Sequence, residues 1–301
     1  MHIVSASRRT DIPAFYAPWF LNRLRAGFCE VFNPFGGGLR RVSLLPGECA
    51  GFVFWTRHAA PLAPALVPIE RAGFRFYFQY TITGYGPPLE TRNPETQVAV
   101  RTFRMLADRI SPGRVHWRYD PLVLSSATPA EYHLRRFERL ARELEGATRR
   151  CYFSFVDYYG KTRRNLARIA GAAFTDPAAE QRVELVAKLD ALAAAHGITL
   201  YSCCEPELAG GRVQPARCVD SELLGLGSGF RARPTREGCG CVESVDIGAY
   251  DTCRFGCAYC YATSSREAAA RRAAAHDSET PALWRPAGLT TPPPDGPSPK
   301  G

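Results

Sequence analysis

Eight of the eleven cysteines lie between residues 203 and 260, and the last three are spaced Cys253-x3-Cys257-x2-Cys260 inside Asp251-Thr252-Cys253-Arg254-Phe255-Gly256-Cys257-Ala258-Tyr259-Cys260-Tyr261-Ala262. Three thiols this close let one loop wrap a small inorganic core, and Gly256 frees the backbone where it must curl. Thiolate sulfur suits zinc or iron–sulfur clusters. A structural zinc ion needs a fourth ligand, whereas a cubane cluster held by three cysteines leaves one iron open to a small molecule. The loop has no fourth ligand.

Cys203, Cys218, Cys239 and Cys241 supply four more thiols from three separated segments. Four protein ligands suit a closed site, either an auxiliary [4Fe–4S] cluster or a structural zinc. Alternation along Leu200-Tyr201-Ser202-Cys203-Cys204 puts the two adjacent cysteines on opposite strand faces, so one of them serves as ligand; Cys203 is taken for the set.

A second class of chemistry-bearing residues sits where apolar runs end: Ser5, Ser7, Arg8, Arg9 and Asp11; Asn33; Thr56; Gln79 and Thr81; Arg118 and Asp120; Ser154 and Asp157; Glu205. Arg118-Tyr119-Asp120-Pro121 has the composition to orient a substrate or steer a proton, because burying both charges for structure alone carries a large desolvation cost. Arg118, Asp120, Gln79 and Asp157 are therefore the catalytic candidates. Lys161 follows a glycine but lacks the upstream glycine at phosphate-loop spacing, which excludes nucleotide hydrolysis of that type. No pair of the six histidines has helical metal spacing.

These residues need a frame that brings strand ends together. Short apolar runs alternate with amphipathic helical segments, the pattern of an α/β fold with a parallel sheet. Eight strands are predicted: Ile3–Ser7, 31–35, Phe52–Thr56, 74–81, 115–119, 152–157, 199–203 and 242–247. Gly36-Gly37-Gly38 followed by 41–45 makes a local hairpin of the second. Pro13 behind Asp11 or Ile12, a capping box at Thr128-Pro129-Ala130-Glu131 and Asp176-Pro177 mark helix starts. Val183, Val186, Leu189 and Ala193 form one buried stripe, and Val100, Phe103, Leu106 and Ile110 another. The expected architecture is a (β/α)8 or incomplete TIM-type barrel over residues 1–285, with the cysteine-rich region at 203–260 and a disordered Pro/Gly-rich tail at 286–301.

With 46% hydrophobic and 22% charged residues, the 301-residue chain has a globular composition. No apolar run reaches the length of a membrane span, and the start lacks the apolar region of a signal peptide, so the expected compartment is the cytoplasm, where cysteines bind metals rather than pair. The net charge of +9 permits an anionic partner such as nucleic acid without demonstrating one.

Cys253-x3-Cys257-x2-Cys260, with Tyr259 before the last cysteine, resembles the cluster motif of the radical S-adenosylmethionine (SAM) superfamily. The continuation Cys260-Tyr261-Ala262 resembles its spore photoproduct lyase branch. Over about residues 1 to 285 the chain also resembles an uncharacterised bacterial family of domain-of-unknown-function proteins, whose members carry equivalents of Val4-Ser5-Ala6-Ser7-Arg8-Arg9-Thr10-Asp11-Ile12-Pro13 and of Cys239-Gly240-Cys241 through Tyr250. The resemblance implies that Cys253, Cys257 and Cys260 bind three irons of a [4Fe–4S] cluster. The fourth iron would hold SAM, and reductive cleavage would give methionine and a 5′-deoxyadenosyl radical that abstracts a substrate hydrogen. It further implies an electron donor such as flavodoxin or ferredoxin.

Superfamily members usually carry this motif after the first barrel strand, whereas here it is near the C-terminus. A circular permutation accounts for that, with 242–247 as first strand, Ser264-Ser265-Arg266-Glu267 capping the next helix and Ile3–Ser7 as second strand. On this map Ser5, Ser7 and Arg8 replace the missing Gly-Gly-Glu-type stretch, and with Tyr259 they are the cofactor-contact candidates. Two other functions fit parts of the sequence: a zinc-dependent barrel hydrolase using Asp120, Asp157 or Glu205, and a metal-stabilised nucleic-acid-binding protein without turnover.

Overall fold

The computed structural model describes residues 1–36 and 38–289. The chain runs β1 (His2–Ala6), α1 (Ile12–Phe15), α2 (Ala17–Ala26), β2 (Phe28–Phe32), β3 (Leu39–Ser43), β4 (Cys49–Thr56), α3 (Leu66–Arg71) and β5 (Phe76–Thr81). It continues through α4 (Thr96–Ile110), β6 (Val115–Arg118), α5 (Ala130–Leu144), β7 (Arg150–Phe153), α6 (Gly160–Leu166) and α7 (Ala179–Ala195). The last elements are β8 (Thr199–Ser202), β9 (Gln214–Pro215), β10 (Ser244–Asp246) and α8 (Arg266–Ala274).

Eight strands form one sheet in the order β10-β1-β4-β5-β6-β7-β8-β9, and every neighbouring pair is parallel. All their C-terminal ends therefore open on one edge. The ladder runs from β10 to β9, and no pairing of those two is part of it. Two expectations are corrected. The strand expected at 31–35 leaves the main sheet and pairs antiparallel with β3. The eighth place is taken by β9, two residues without the apolar run that would flag a strand. The tail expected to be disordered falls, from residue 290 onward, outside the described residues.

Buried on both faces, β4 and β5 read as nearly continuous apolar runs, as parallel strands do. The period of two sorts them. Phe52, Phe54, Phe76 and Phe78 point to the helix-covered face, where Phe20 of α2 meets Phe52 and Phe54 edge-on at 5.1 and 5.4 Å. The opposite, inner face carries Tyr77, His116, Tyr152 and Tyr201, stacked across β5 to β8 with centroids 5.2, 5.8 and 5.1 Å apart. That inner face is covered by the segment carrying Cys218, Val219, Leu224, Cys241 and Val242 rather than by helices.

Helix starts follow local chemistry. Asp11 caps α1 by accepting from the Ala14 N–H at 2.9 Å, and Ser265 caps α8 by accepting from the Ala268 N–H at 3.0 Å. The capping box expected at Thr128 does not form, because its hydroxyl donates to the Val123 carbonyl at 2.6 Å and the cap position falls to Pro129. Of the expected stripe in α7, Val186, Leu189 and Ala193 are buried but Val183 is exposed, its place in the core being taken by Leu185.

His133 on α5 is fully buried between the Tyr119 hydroxyl at 3.1 Å and the Val123 carbonyl at 3.1 Å. Burial pushes its imidazole from 6.5 down to about 4, although the Val123 carbonyl favours the charged ring. The folded value lies below the unfolded one, so the neutral ring's contribution is complete above pH 6.5 and is lost as pH falls towards 4. Across that window the stability gap between the parent and His133→Gln should narrow by about 3 kcal/mol in urea unfolding. A gap that stays constant between pH 7 and pH 4 would contradict a neutral buried imidazole.

Candidate functional site

A cavity of about 600 Å³ opens at the C-terminal edge of the sheet, where open parallel sheets bind ligands. Eight cysteines line it: Cys253, Cys257 and Cys260 on one side, and Cys203, Cys204, Cys218, Cys239 and Cys241 on the other. Of the strand-end residues singled out in the sequence, Ser7, Arg8, Arg9, Asp11, Thr56, Thr81, Arg118, Asp120, Ser154 and Asp157 line the same space. Asn33, in the β2–β3 turn, does not, and neither do Ser5, Gln79 or Glu205.

Asp246, which the sequence reading passed over, organises the floor. It ends β10 beside β1 and accepts from Ser5 Oγ at 3.0 Å, Ser7 Oγ at 2.6 Å, the Arg8 N–H at 2.8 Å and the Gly248 N–H at 3.0 Å. The hydroxyls of Ser5 and Ser7, candidate cofactor contacts, are thus donated to a carboxylate. Arg8 differs: its guanidinium lies over Trp55 at 5.1 Å, and its Nη2 is buried without a partner. Thr10 Oγ1 and Trp55 Nε1, both on the cavity lining, are also buried and unpartnered. A Cβ on Gly248 would run into the Ser7 Oγ and Cβ atoms. Gly248→Ala should therefore cost about 1–3 kcal/mol in denaturant unfolding, and an unchanged midpoint would mean that the β1–β10 junction yields freely.

The three-cysteine loop is fastened mainly by contacts other than those of its thiols, of which Cys257 donates to Asn93 Oδ1 at 3.7 Å. Tyr16 donates to the Thr252 carbonyl at 2.7 Å, Tyr261 to the Arg8 carbonyl at 2.8 Å, and the Ala258 N–H to the Leu89 carbonyl at 2.9 Å. Gly256 sits at φ +69°, a conformation that favours glycine, with Arg266 packed where a side chain would go. Tyr259 shares Glu90 with Arg57: Arg57 donates to Glu90 Oε1 at 2.8 Å and to the Tyr259 hydroxyl at 2.6 Å, and the phenol itself donates to Glu90. Arg57 and Glu90 were not legible as site residues; Arg57 lies one position past the Thr56 strand end. Cys253 and Cys257 are pushed up, Cys257 to about 12, by burial first and then by neighbouring charges that include Cys260. Buried thiols pushed up in this way keep their protons until a metal displaces them, and three cysteines with no fourth ligand in the loop are a donor set compatible with a cluster that has one open iron.

Opposite the loop, Cys203 Sγ lies 3.3 Å from Cys218 Sγ and 3.8 Å from Cys204 Sγ. The expectation that Cys203 and Cys204 point to opposite faces is corrected. β8 ends at Ser202 and Cys204 takes φ +65°, so strand alternation no longer applies and both sulfurs face one group. Cys241 Sγ accepts from the Val219 N–H at 3.3 Å and Cys239 Sγ from the Thr235 hydroxyl at 3.5 Å, and both line the same cavity. Among the described residues no set of three or more His, Cys, Asp and Glu side chains is already spaced around one metal ion.

Arg118 and Asp120 meet at 2.6 Å, and Ser154 donates to Asp120 Oδ1 at 2.5 Å. Burial pushes Asp120 up, but Arg118, Ser154 and Arg236 together take it below the usual carboxylate value. Arg118 Nη1 also donates to Cys218 Sγ at 3.1 Å, while Gln79 lies beneath, donating to the Cys218 carbonyl at 3.1 Å. Both thus serve the second cysteine group. Asp157 is exposed and paired with Arg236, and Glu205 holds the Phe155 N–H at 3.0 Å and Arg182 at 3.1 Å. Asp120, Asp157 and Glu205 are bound to separate partners rather than gathered as hydrolase ligands.

A parallel eight-stranded sheet with helices on one face and a cysteine-lined cavity at its strand ends defines a mixed α/β protein with its candidate site at the carboxyl edge. Within that class, the chain belongs to the family described as Domain of unknown function (DUF1848), whose model matches residues 3–262, from the second residue of β1 to the end of the three-cysteine loop. Comparison with curated proteins and with solved structures gives no match. No helix among the described residues is long and apolar enough to cross a membrane.

Proposed function

We propose that this protein is a radical SAM enzyme in which Cys253, Cys257 and Cys260 hold a [4Fe–4S] cluster with one open iron. The observation that carries the reading is that these three thiols share one cavity, at the strand ends of a parallel sheet, with buried polar groups that lack partners. When bound and reduced, such a cluster supplies the electron that splits SAM into methionine and a 5′-deoxyadenosyl radical, which removes a hydrogen from a substrate.

The chain's own part is to bind, orient and shield. Arg8 is our candidate for the carboxylate of SAM, since its free Nη2 is a cationic donor already buried in the wall. Thr10 Oγ1 and Trp55 Nε1 offer further hydrogen bonds to a polar ligand. The Arg57–Glu90–Tyr259 cluster fixes the loop against the mouth of the cavity. Seen this way, the sheet is a circularly permuted, incomplete β/α barrel, with β10 as its first strand and β1 as its second; their parallel pairing, Ile3 opposite Ser244 and Ser5 opposite Asp246, supports that order. A flavodoxin or ferredoxin of a reducing compartment such as the cytoplasm would deliver the electron.

The test is to reconstitute the anaerobically purified protein with iron and sulfide, reduce it with dithionite and follow SAM by chromatography. Formation of 5′-deoxyadenosine and methionine is the expected result. A folded protein that carries iron and sulfide but leaves SAM intact would sink the proposal.

A further inference from the structure

We infer that the five thiols facing the loop across the cavity form a second, thiolate-held metal centre, with Cys218, Cys239 and Cys241 as three ligands and the Cys203–Cys204 pair supplying the fourth. The class of ligand is a thiophilic metal, either one zinc-type ion or an iron–sulfur cluster. This inference is independent of the function proposed for the three-cysteine loop.

Three observations carry it. First, the sulfurs come from three chain segments yet line one cavity, with Cys203 lying 3.3 Å from Cys218 and 3.8 Å from Cys204 and with Cys239 and Cys241 on the same lining. Tetrahedral zinc–sulfur bonds of about 2.3 Å put ligand sulfurs about 3.8 Å apart. Cys204 and Cys239, half-exposed at the cavity wall, are the members with room to turn towards a shared metal.

Second, each of the three ligand sulfurs named singly already accepts a hydrogen bond. Arg118 Nη1 donates to Cys218 at 3.1 Å, the Val219 N–H to Cys241 at 3.3 Å and Thr235 Oγ1 to Cys239 at 3.5 Å. Donors aimed at sulfur are what a metal-bound thiolate uses and what tunes it. Arg8 and Arg118 flank Trp55 at 5.1 and 5.0 Å, so two guanidiniums stand beside this group. Arg118 joins Asp120 at 2.6 Å to Cys218 Sγ at 3.1 Å, so its charge is shared between a carboxylate and a sulfur of the group. A metal thiolate centre carries net negative charge and balances a buried cation in a way that neutral thiols do not.

Third, the backbone is shaped to bring the segments together. Cys239 stands between Gly238, at φ +70° with a Cβ position 2.8 Å from the Cys204 carbonyl oxygen, and Gly240, whose Cβ position is 2.8 Å from the Ala216 carbonyl oxygen. Side chains at either position would force apart the strands of chain that carry Cys204, Cys218 and Cys239.

The test begins with the anaerobically purified Cys253→Ser/Cys257→Ser/Cys260→Ser variant. It should retain either about one zinc without sulfide or about four irons with about four sulfides, which separates the two sources. The same content should be lost from Cys218→Ser/Cys239→Ser/Cys241→Ser. Single changes at Cys203 or Cys204 should keep it and the double change should lose it. Should the multiple variants fail to fold, alkylation of the parent read by peptide mass decides: Cys239, the half-buried ligand, should react only after a chelator is added. Equal labelling with and without chelator, disulfides among the five, or a folded loop variant that holds no metal would overturn the centre. SAM cleavage tests the loop alone, so either idea can fail while the other stands.

Discussion

Replacing Cys253, Cys257 and Cys260 together by Ala is expected to abolish 5′-deoxyadenosine formation and to remove about four irons and four sulfides per chain. The reason is chemical rather than architectural. Within this loop no other side chain replaces a thiolate as an iron ligand, while the contacts that hold the loop are made mainly by Tyr16, Tyr259, Tyr261, Asp251 and backbone groups, with one long contact from the Cys257 thiol to Asn93 at 3.7 Å. The variant should therefore fold with an unfolding midpoint close to the parent's, which separates a lost cluster from a lost structure. Changing Cys239 and Cys241 instead should spare the irons held by the loop. Full cofactor cleavage by the triple Ala variant would end the radical SAM reading.

Arg118→Leu is expected to cost about 3–5 kcal/mol in denaturant unfolding, the largest stability effect of any single substitution considered. Arg118 is buried, and its removal leaves the part-buried Asp120 at the cavity wall with Ser154 but without its bonded cation. It also takes the donor from Cys218 Sγ and the neighbour from Gln79 Oε1. Arg118→Lys should recover part of the loss, since a point charge replaces the pairing but not the fork that reaches Asp120, Cys218 and Gln79 at once. A cost below about 1 kcal/mol for Arg118→Leu, the range of exposed pairs, would show that the pair is solvated rather than buried.

Much of this site was readable because parallel sheets obey simple rules. The period of two separates Phe52 and Phe54 from Val53 and Trp55, and the carboxyl-edge rule gathers Ser7, Thr56, Arg118 and Ser154 from four separate strands. The cysteine loop announced itself by spacing. What escaped was set by tertiary partners. Asp246 looked like one polar residue in a short strand, and only the pairing of β10 with β1 turns it into the acceptor for four donors. Glu90 lies in an irregular segment with no local pattern, and its value comes from meeting Arg57, Thr83 and Tyr259. Alternation misjudged Cys204 because the strand stops two residues before it. β9 escaped because two residues carry no period.

The pairing of β1 with β10 also sets when the pocket can come into being. Ser5 and Asp246 are 241 residues apart, so this junction is among the most distant contacts in the chain, and such contacts close late because loop closure must precede their reward. A ribosome delivering residues in order exposes one edge of β1 until nearly the whole sheet has emerged. Arg8 and the thiols of the loop therefore meet only in a chain whose other strands are already laid down. If the proposed clusters are bound, their loading would fall at the end of synthesis, after the walls that keep water and stray oxidants away have been built.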